Sequence, residues 1–261
     1  GAIEIDWQAS HDPDVTLSVL YEDADVVVVD KPAGIPTHPL RPGETRTMAG
    51  ALRARYPEMA AVGYSPREPG ILHRLDTDTS GVLVAARNAK AFAALREDLT
   101  AGRLEKEYLA LVGGEMTGTG TIAFALAPSA KSKKKMAVCR DERSARRLGA
   151  QPAETPYRIE RAGAGLSLVR IQLGAAQRHQ IRAHLAAAGH PIVGDALYGG
   201  ADAAASTGAT SLIAQQAAPR HLLHASRVRL RQPTTLALFD VQAPLPADFL
   251  AVLDTLPRSR A

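Results

Sequence analysis

The chain is short of cysteine and of long apolar runs, and both shortages exclude whole classes of protein. Cys139 is the only cysteine, so no disulfide can form within the chain and a reducing, cytoplasmic location is expected. No stretch approaches the roughly 20 apolar residues of a membrane helix. The acidic start at residues 1–6 also lacks the basic and apolar regions of a signal peptide. We therefore expect a soluble cytoplasmic protein without membrane contact. We also expect it to be a monomer.

Clusters of metal-binding side chains are also missing from the sequence. His179 and His184 are five residues apart on an expected helix and so point in different directions, unlike the four-residue spacing of helical zinc pairs. His221 and His224 could share a helical face, but no cysteine or carboxylate cluster accompanies them. The sequence therefore predicts no metal site.

Positive charge, in contrast, is concentrated in one segment. The whole chain carries a formal net charge of only +4. Residues 131–147 contain eight basic and two acidic side chains, a net charge of +6 that leaves −2 for the remainder. Such a patch on a near-neutral body is typical of proteins that bind a polyanion. On charge alone, a solvated basic loop without a specific ligand is an equally good interpretation.

The order of apolar segments indicates the fold class. At 261 residues with 46% hydrophobic content, the chain can bury a full core. The patterns predict strands at residues 26–29, 82–86, 105–112, 121–126, 136–140, 157–161, 166–173 and 234–241, and helices at 89–100, 178–188 and 246–256. Strands joined mostly by hairpins, with helices between some of them, indicate an α+β fold with a mixed, largely antiparallel sheet and flanking helices.

Composition also suggests how the chain is organised into domains. Residues 1–25 form a short N-terminal extension, well below the roughly 40 residues of an independently folding unit, so no separate N-terminal domain is expected. Residues 26–261 are expected to form one domain. Within it, residues 201–218 are rich in Ala, Ser, Thr and Gly and weak in core-forming side chains, which predicts a flexible insertion.

The most informative segment is ILHRLDTDTSG at residues 71–81, which runs directly into the apolar stretch 82–86. We expect a short strand here that delivers His73, Arg74 and Asp76 into a Thr/Ser/Gly-rich turn held by a packed scaffold. On an extended chain Arg74 and Asp76 point to the same face. The segment therefore predicts a functional site around Asp76, although composition alone favours an ordinary ion pair at the sheet.

Four segments, in the same order, resemble the RluA-type pseudouridine synthases, which modify RNA. They are VVVVDKPAG at 26–34 with THP at 37–39, the segment 71–81, KEYLALV at 106–112, and HQIR at 179–182 with GHPIVGD at 189–195. The family usually carries Gly-Arg where this chain has Ala176 and Gln177. The resemblance implies the pseudouridine synthase fold, a catalytic domain over residues 26–261, and a stem-loop of ribosomal or transfer RNA as substrate.

The same resemblance implies roles for three residues. Asp76 corresponds to the essential carboxylate, Arg182 to its charge partner and Tyr108 to the residue beside the target base. A guanidinium next to the carboxylate favours the ionised form against desolvation. The carboxylate can act as a nucleophile on carbon or as a base, and both remain open. Because the isomerisation has no redox step, no cofactor is expected. For Tyr108, an ordinary half-buried strand aromatic is the alternative.

Further residues are predicted to contact RNA. Arg74 corresponds to the arginine that fills the space of the flipped-out base by stacking, and His73 is interpreted as a local hydrogen-bonding residue. The remaining predicted RNA contacts are Lys31, Lys131, Lys133, Lys134, Lys135, Arg178, His179 and Gln180.

Two rival functions stay open at this point. One is a structured-RNA-binding or ribosome-assembly protein that has lost turnover, against which the presence of Asp76, Tyr108 and Arg182 argues. The other is a metal-dependent nuclease or hydrolase on the same basic surface, which needs clustered carboxylates that the sequence does not offer.

Overall fold

The computed structural model describes residues 8–199 and 218–257. The chain forms two compact units: unit 1 is Gly1–Lys106 with Ala225–Pro244, and unit 2 is Glu107–His224 with Leu245–Ala261. The first seven residues of the expected N-terminal extension lie outside the described residues. So does the expected insertion at 201–218, except for Ala218.

Unit 1 contains a sheet with the strand order β1-β2-β3-β10, in which β1-β2 and β2-β3 are antiparallel, and β11 pairs antiparallel with β10. Its strands are β1 (Ser18–Glu22), β2 (Val26–Lys31), β3 (Ser80–Ala86), β10 (Leu223–Arg231) and β11 (Leu238–Gln242), the first two residues of β10 belonging to unit 2. Its helices are α1 (Met48–Arg55), a 3₁₀ helix (Pro57–Ala61) and α2 (Ala89–Thr100).

The pair β2-β3 is the rigid centre of unit 1. Val28 lies opposite Val84 in the antiparallel register. Successive side chains of a strand point to opposite faces, so Val26 and Val28 join one apolar cluster while Val27 and Val29 join another. Because both faces are buried, the sequence at 26–29 is continuously apolar rather than alternating. The register of this pair places Lys31, the first residue of KPAG, opposite Gly81, the last residue of segment 71–81.

Unit 2 contains a second group of strands in the order β4-β9-β8-β5, and a separate hairpin β6-β7. The strands are β4 (Glu105–Gly113), β5 (Thr119–Ala123), β6 (Ala125–Pro128), β7 (Met136–Cys139), β8 (Glu154–Gly163) and β9 (Leu166–Leu173), the first two residues of β4 belonging to unit 1. The helices are α3 (Glu142–Leu148), α4 (Gln180–Ala187) and α5 (Ala247–Leu253).

Most predicted elements are confirmed, and two strands are corrected. The strand expected at 121–126 is two strands, because β5 ends at Ala123 and β6 pairs with β7 in another sheet. The strand expected at 234–241 begins only at Leu238. Before it, Gln232 Oε1 accepts hydrogen bonds from the N–H groups of Thr234 and Thr235, which holds a turn instead.

Five elements were not predicted from the apolar patterns: β1, α1, the 3₁₀ helix, α3 and β10. Helix α3 has no buried residue, so it lacks an apolar stripe, and only its caps mark it. Asp141 Oδ1 accepts a hydrogen bond from the Ser144 N–H at 2.8 Å, and Gly149 ends the helix in the left-handed conformation. In β10 the first four residues are all buried, which hides the alternation of a strand.

Candidate active site

Asp76 lies on an irregular loop, which corrects the short strand expected before it. Ile71 makes only an isolated antiparallel bridge with Ala85. Leu72 donates its N–H to the Val84 carbonyl at 3.1 Å, and the residues between it and β3 belong to no strand. Buried Leu72 and Leu75 therefore anchor this loop by packing rather than by a strand ladder.

Thr37, in the loop after β2, takes the place of a neighbouring strand beside Leu75. The Thr37 hydroxyl donates to the Leu75 carbonyl at 2.7 Å and accepts from the Leu75 N–H at 3.1 Å. One buried hydroxyl thus satisfies both backbone groups of the residue before Asp76, in place of a neighbouring strand. Thr37 was not among the predicted site residues, although it follows the KPAG turn directly.

On the C-terminal side of Asp76, Lys31 fixes the backbone at Thr77. This corrects the prediction that Lys31 contacts RNA. The side chain is fully buried, and its Nζ donates to the carbonyls of Pro32 at 2.9 Å, Ile35 at 2.6 Å and Thr77 at 2.8 Å. The Gly34 N–H donates to the same Thr77 carbonyl at 2.9 Å. Because these carbonyls take up the ammonium group inside the protein, Lys31 positions the loop and is not presented to a phosphate.

The last glycine of the segment is required by the backbone. Gly81 opens β3 next to Ser80 with a φ of +109°, a conformation that side chains disfavour. A Cβ atom there would lie 2.1 Å from the carbonyl oxygen of Ala225 in the neighbouring strand β10. The close approach of these strands explains why the Thr/Ser-rich turn ends in glycine.

His73 and Arg74 have different environments. His73 Nε2 accepts a hydrogen bond from the Val84 N–H at 3.2 Å, which confirms the local hydrogen-bonding interpretation. Its Nδ1 is buried, with no hydrogen-bond partner among the described residues. Burial, together with the nearby charge of Lys106, holds the pKa of His73 well below its usual value, so the ring is neutral and unsuited to a phosphate contact. Arg74, by contrast, is exposed.

In unit 2, Arg182 on α4 forms a buried ion pair that sequence reasoning did not assign. Its Nε and Nη2 donate to the two carboxylate oxygens of Asp195 at 2.7 and 2.9 Å. The same carboxylate accepts the N–H groups of Leu197 and Tyr198 at 3.0 and 3.1 Å. Burial alone raises the pKa of Asp195, but hydrogen bonds and charge from Arg182 outweigh it, so that the pKa is lowered. The guanidinium also lies 5.3 Å from the centre of the Tyr198 ring.

Tyr108 is buried on β4, in the extended conformation expected for it. It belongs to unit 2 with Arg182, whereas Asp76 belongs to unit 1. The predicted pairing of Asp76 with Arg182, and the place of Tyr108 beside them, stay predictions.

The start of α4 corrects Gln180, which was predicted to contact RNA. Gln180 is buried; its Oε1 accepts from the Gln177 N–H at 3.0 Å, and its Nε2 donates to the Glu154 carbonyl at 2.8 Å. Gln177, where the family usually has arginine, donates its side-chain amide to the carbonyls of Gln151 and Pro152 at 3.2 and 2.9 Å. Gln180 thus holds the turn at the start of α4, and both side chains tie that turn to residues 151–154. His179 Nδ1 lies 3.1 Å from the Tyr198 hydroxyl, in contact with the residue on which Arg182 stacks.

The four lysines of the basic segment are exposed in the connection between β6 and β7: Lys131, Lys133, Lys134 and Lys135. Arg178 donates to the carbonyls of Lys133 and Lys135 at 3.3 and 3.2 Å. This predicted RNA contact therefore also fixes the backbone of the lysine-rich connection to the start of α4.

Within residues 8–199 and 218–257, no group of three or more His, Cys, Asp or Glu side chains is arranged to hold a metal ion. His184, one of the histidines considered for metal binding, instead contacts the Thr155 hydroxyl at 2.9 Å and the Phe124 carbonyl at 3.1 Å. Of the helices in this described part of the chain, none has the length and apolar character to cross a bilayer.

Comparison with known proteins agrees with the motifs. The family model described as RNA pseudouridylate synthase matches residues 25–187. A ribosomal large subunit pseudouridine synthase D from Xanthomonas campestris pv. campestris is 37% identical over 249 residues, which cover 95% of this chain and 72% of the relative. One of the same name from Haemophilus ducreyi is 34% identical, covering 97% of this chain and 75% of the relative.

Solved structures agree on the fold. Human RNA Pseudouridylate Synthase Domain Containing 1 superimposes with a TM-score of 0.64 at 27% identity, covering 88% of this chain and 84% of that one. Human RNA Pseudouridylate Synthase Domain Containing 4 gives a TM-score of 0.66 at 23% identity, covering 93% of this chain and 95% of that one. At this low identity the similarity supports the fold only. The predicted α+β fold and the predicted family are confirmed: the chain belongs to the RluA-type family of RNA pseudouridine synthases, which are isomerases acting on RNA.

Proposed function

We propose that the chain isomerises specific uridines of large-subunit ribosomal RNA to pseudouridine, with residues 26–261 as its catalytic domain. The target is supported by the two relatives, each a ribosomal large subunit pseudouridine synthase D, which are 37% and 34% identical over almost the whole chain. Transfer RNA stem-loops are the second candidate substrate from the sequence. Action as a cytoplasmic monomer belongs to the same proposal.

The proposed chemistry centres on Asp76. Its neighbours Leu75 and Thr77 are held by Thr37 and Lys31, so its carboxylate is attached to a backbone with little freedom. Such preorganisation is what a residue needs in order to meet the same atom of every substrate molecule. We assign Asp76 as the group that attacks carbon or removes a ribose proton.

Three further residues complete the proposed site. Arg182 holds the carboxylate of Asp76 in its charged form, and Tyr108 lies against the target base. Exposed Arg74, two residues before Asp76, replaces the flipped-out base by stacking. The planar guanidinium group suits this role better than an ammonium group.

Incubation with defined RNA tests the proposal. Unmodified large-subunit ribosomal RNA and a pool of transfer RNA transcripts are treated separately, with and without a chelator, and pseudouridine and strand breaks are mapped. We expect pseudouridine at a few positions of the ribosomal RNA, with no effect of the chelator. Tight binding without pseudouridine would favour the assembly-protein alternative, and chelator-sensitive strand breaks would favour a nuclease.

We also predict that the lysine-rich connection grips RNA phosphates. Replacing Lys131, Lys133, Lys134 and Lys135 by Gln is expected to flatten the dependence of log affinity on log salt. Each phosphate contact contributes roughly 0.7 to that slope for single-stranded RNA, so the change reaches at most about 3. The rate at saturating RNA should change little, because these residues are not proposed to touch the uridine.

A matched control removes four exposed charges elsewhere: Lys90, Arg96, Arg229 and Arg231, all in unit 1, are replaced by Gln. The net charge falls by the same amount in both variants. If the control flattens the salt slope as much as the lysine replacements do, the connection is an ordinary solvated loop.

A further inference from the structure

Lys106 is a buried lysine without a counter-ion. Its side chain is only 4% exposed on β4, and no hydrogen bond or ion pair is formed by its ammonium group within the described part of the chain. The acidic neighbours face the other way on the strand, where Glu105 lies 3.7 Å from Arg229 and Glu107 pairs with Arg170. Buried charges are normally paired, because an unpaired one is costly to desolvate. A buried lysine without a charge partner is therefore a candidate functional residue.

A group near Lys106 is His73, three residues before Asp76, whose pKa is lowered by burial and, in addition, by the charge of Lys106. Since His73 Nε2 accepts the Val84 N–H, the proton of the neutral ring is on Nδ1, which is buried with no hydrogen-bond partner among the described residues. The buried Nδ1–H of His73 therefore has no acceptor among the described residues, and Lys106, whose charge the ring senses, makes no hydrogen bond or ion pair with them. An acceptor from the substrate would satisfy this arrangement.

The strand relates Lys106 to the proposed base site. Lys106 and Tyr108 are two positions apart on β4, so their side chains leave the same face, about 7 Å apart along the strand. Tyr108 is the residue proposed to lie against the target uracil. Lys106 is therefore one strand repeat from the residue proposed to contact the base, and its side chain is in a buried environment that screens charge poorly.

We propose that Lys106 stabilises the negative charge that the uracil ring carries after the C1′–N1 bond breaks. This inference rests on the proposed function. When that bond breaks, its electron pair stays with the base and the ring becomes an anion. The bond from C1′ to C5 then forms with electrons of the ring, C5 releases its proton and N1 takes one up, so no oxidant or reductant is needed. A cation fixed in a poorly screened site lowers the energy of such an anion without reorganising.

This role has a dependence on pH. Burial lowers the pKa of Lys106 from its usual value of 10.5 to about 8. The charge is therefore lost as the pH rises through about 8, and kcat should fall there, while neutral His73 does not change. The same burial makes the charged side chain unfavourable for folding below that pH. This penalty disappears as the pH rises towards 10.5, the value in the unfolded chain.

The test compares the parent chain with Lys106→Met and Lys106→Arg, measuring kcat, KM, the pH profile of kcat and the melting temperature. In Lys106→Met we expect kcat to fall about 10-fold to 100-fold, with KM within roughly twofold. The melting temperature should stay or rise, because an unpaired buried charge has been removed. Lys106→Arg should recover most of kcat and lose the decline near pH 8, since arginine stays charged.

The outcomes separate this inference from the proposed function. A parent chain that forms no pseudouridine contradicts the proposed function itself. If the parent is active and Lys106→Met keeps its kcat and its pH profile, only the role of Lys106 is wrong. A lower melting temperature in Lys106→Met, or a Lys106→Arg variant that retains the decline near pH 8, also contradicts it. Ionisation of the uridine itself affects every variant alike and cancels in the comparison.

Discussion

Asp76→Asn is expected to abolish pseudouridine formation while RNA binding stays within about threefold of the parent. The amide keeps the shape of the carboxylate but has neither its charge nor its nucleophilicity, and loss of such a group costs at least about 10⁴-fold in rate. The loop itself should persist, because Thr37 and Lys31 hold its backbone through Leu75 and Thr77 rather than through the Asp76 side chain. The measurement is single-turnover pseudouridine formation with saturating enzyme, alongside an RNA-binding isotherm.

The matched control is Asp78→Asn, which removes an exposed carboxylate two residues further along the same loop. The control makes the same change in charge and should keep activity within about tenfold. An Asp76→Asn preparation, checked for deamidation, that turns over near the parent rate would show that the reaction uses another group. Equal losses in both variants would instead indicate a general effect of charge in the loop.

Arg182→Met is expected to have the largest effect on stability. It leaves the fully buried carboxylate of Asp195 without the bidentate partner at 2.7 and 2.9 Å. Breaking a buried pair from one side commonly costs about 3 to 5 kcal/mol, because the remaining charge is uncompensated. The free energy of unfolding from denaturant titration measures this loss, and unchanged stability would mean that the pair contributes nothing to the fold.

Asp195→Asn separates the two proposed roles of Arg182. It breaks the same pair, so it should also destabilise, but it leaves the guanidinium in place for Asp76. We therefore expect activity per folded molecule to fall much more in Arg182→Met than in Asp195→Asn. Equal activity in the two variants would contradict a role for Arg182 in catalysis and leave only its role in the fold.

The Asp195 pair also predicts acid sensitivity. Because the pKa of Asp195 in the folded chain is lowered from 3.8, its usual value, its contribution to stability is fully present above that value. It is lost as the pH falls through the folded-state pKa. In Arg182→Met this part of the acid dependence should be absent.

The sequence predicted what depends on local pattern. The apolar runs of β2 and β3 and the periodicity of α2 needed no tertiary information. At the start of α2, Asn88 Oδ1 accepts a hydrogen bond from the Ala91 N–H at 2.9 Å. The motif order was sufficient to identify the family. Helix α3 was missed because a helix that buries no side chain has no periodic signal.

The partners of polar side chains could not be predicted, because they are set by residues distant in sequence. Lys31 and Gln180 carry polar groups that suit RNA, yet both are buried and bonded to backbone carbonyls. Arg182 was expected to pair with the motif carboxylate, and the partner that its own unit supplies is Asp195. No pattern of residue types distinguishes a lysine that faces solvent from one that closes a loop.

The contacts of Lys31 and Thr37 also bear on how the site forms and opens. They join positions 46 and 38 residues apart, with all of α1 and the 3₁₀ helix between them. Closing a loop of that length costs conformational entropy. The surrounding contacts compensate for this cost only after they have formed. The KPAG loop and the loop of Asp76 should therefore become ordered together, late in folding, and open together as one cooperative unit in the native protein. We therefore expect substitutions in residues 31–37 to change the position of Asp76, although the contacts described from this segment are to the backbone of Leu75 and Thr77.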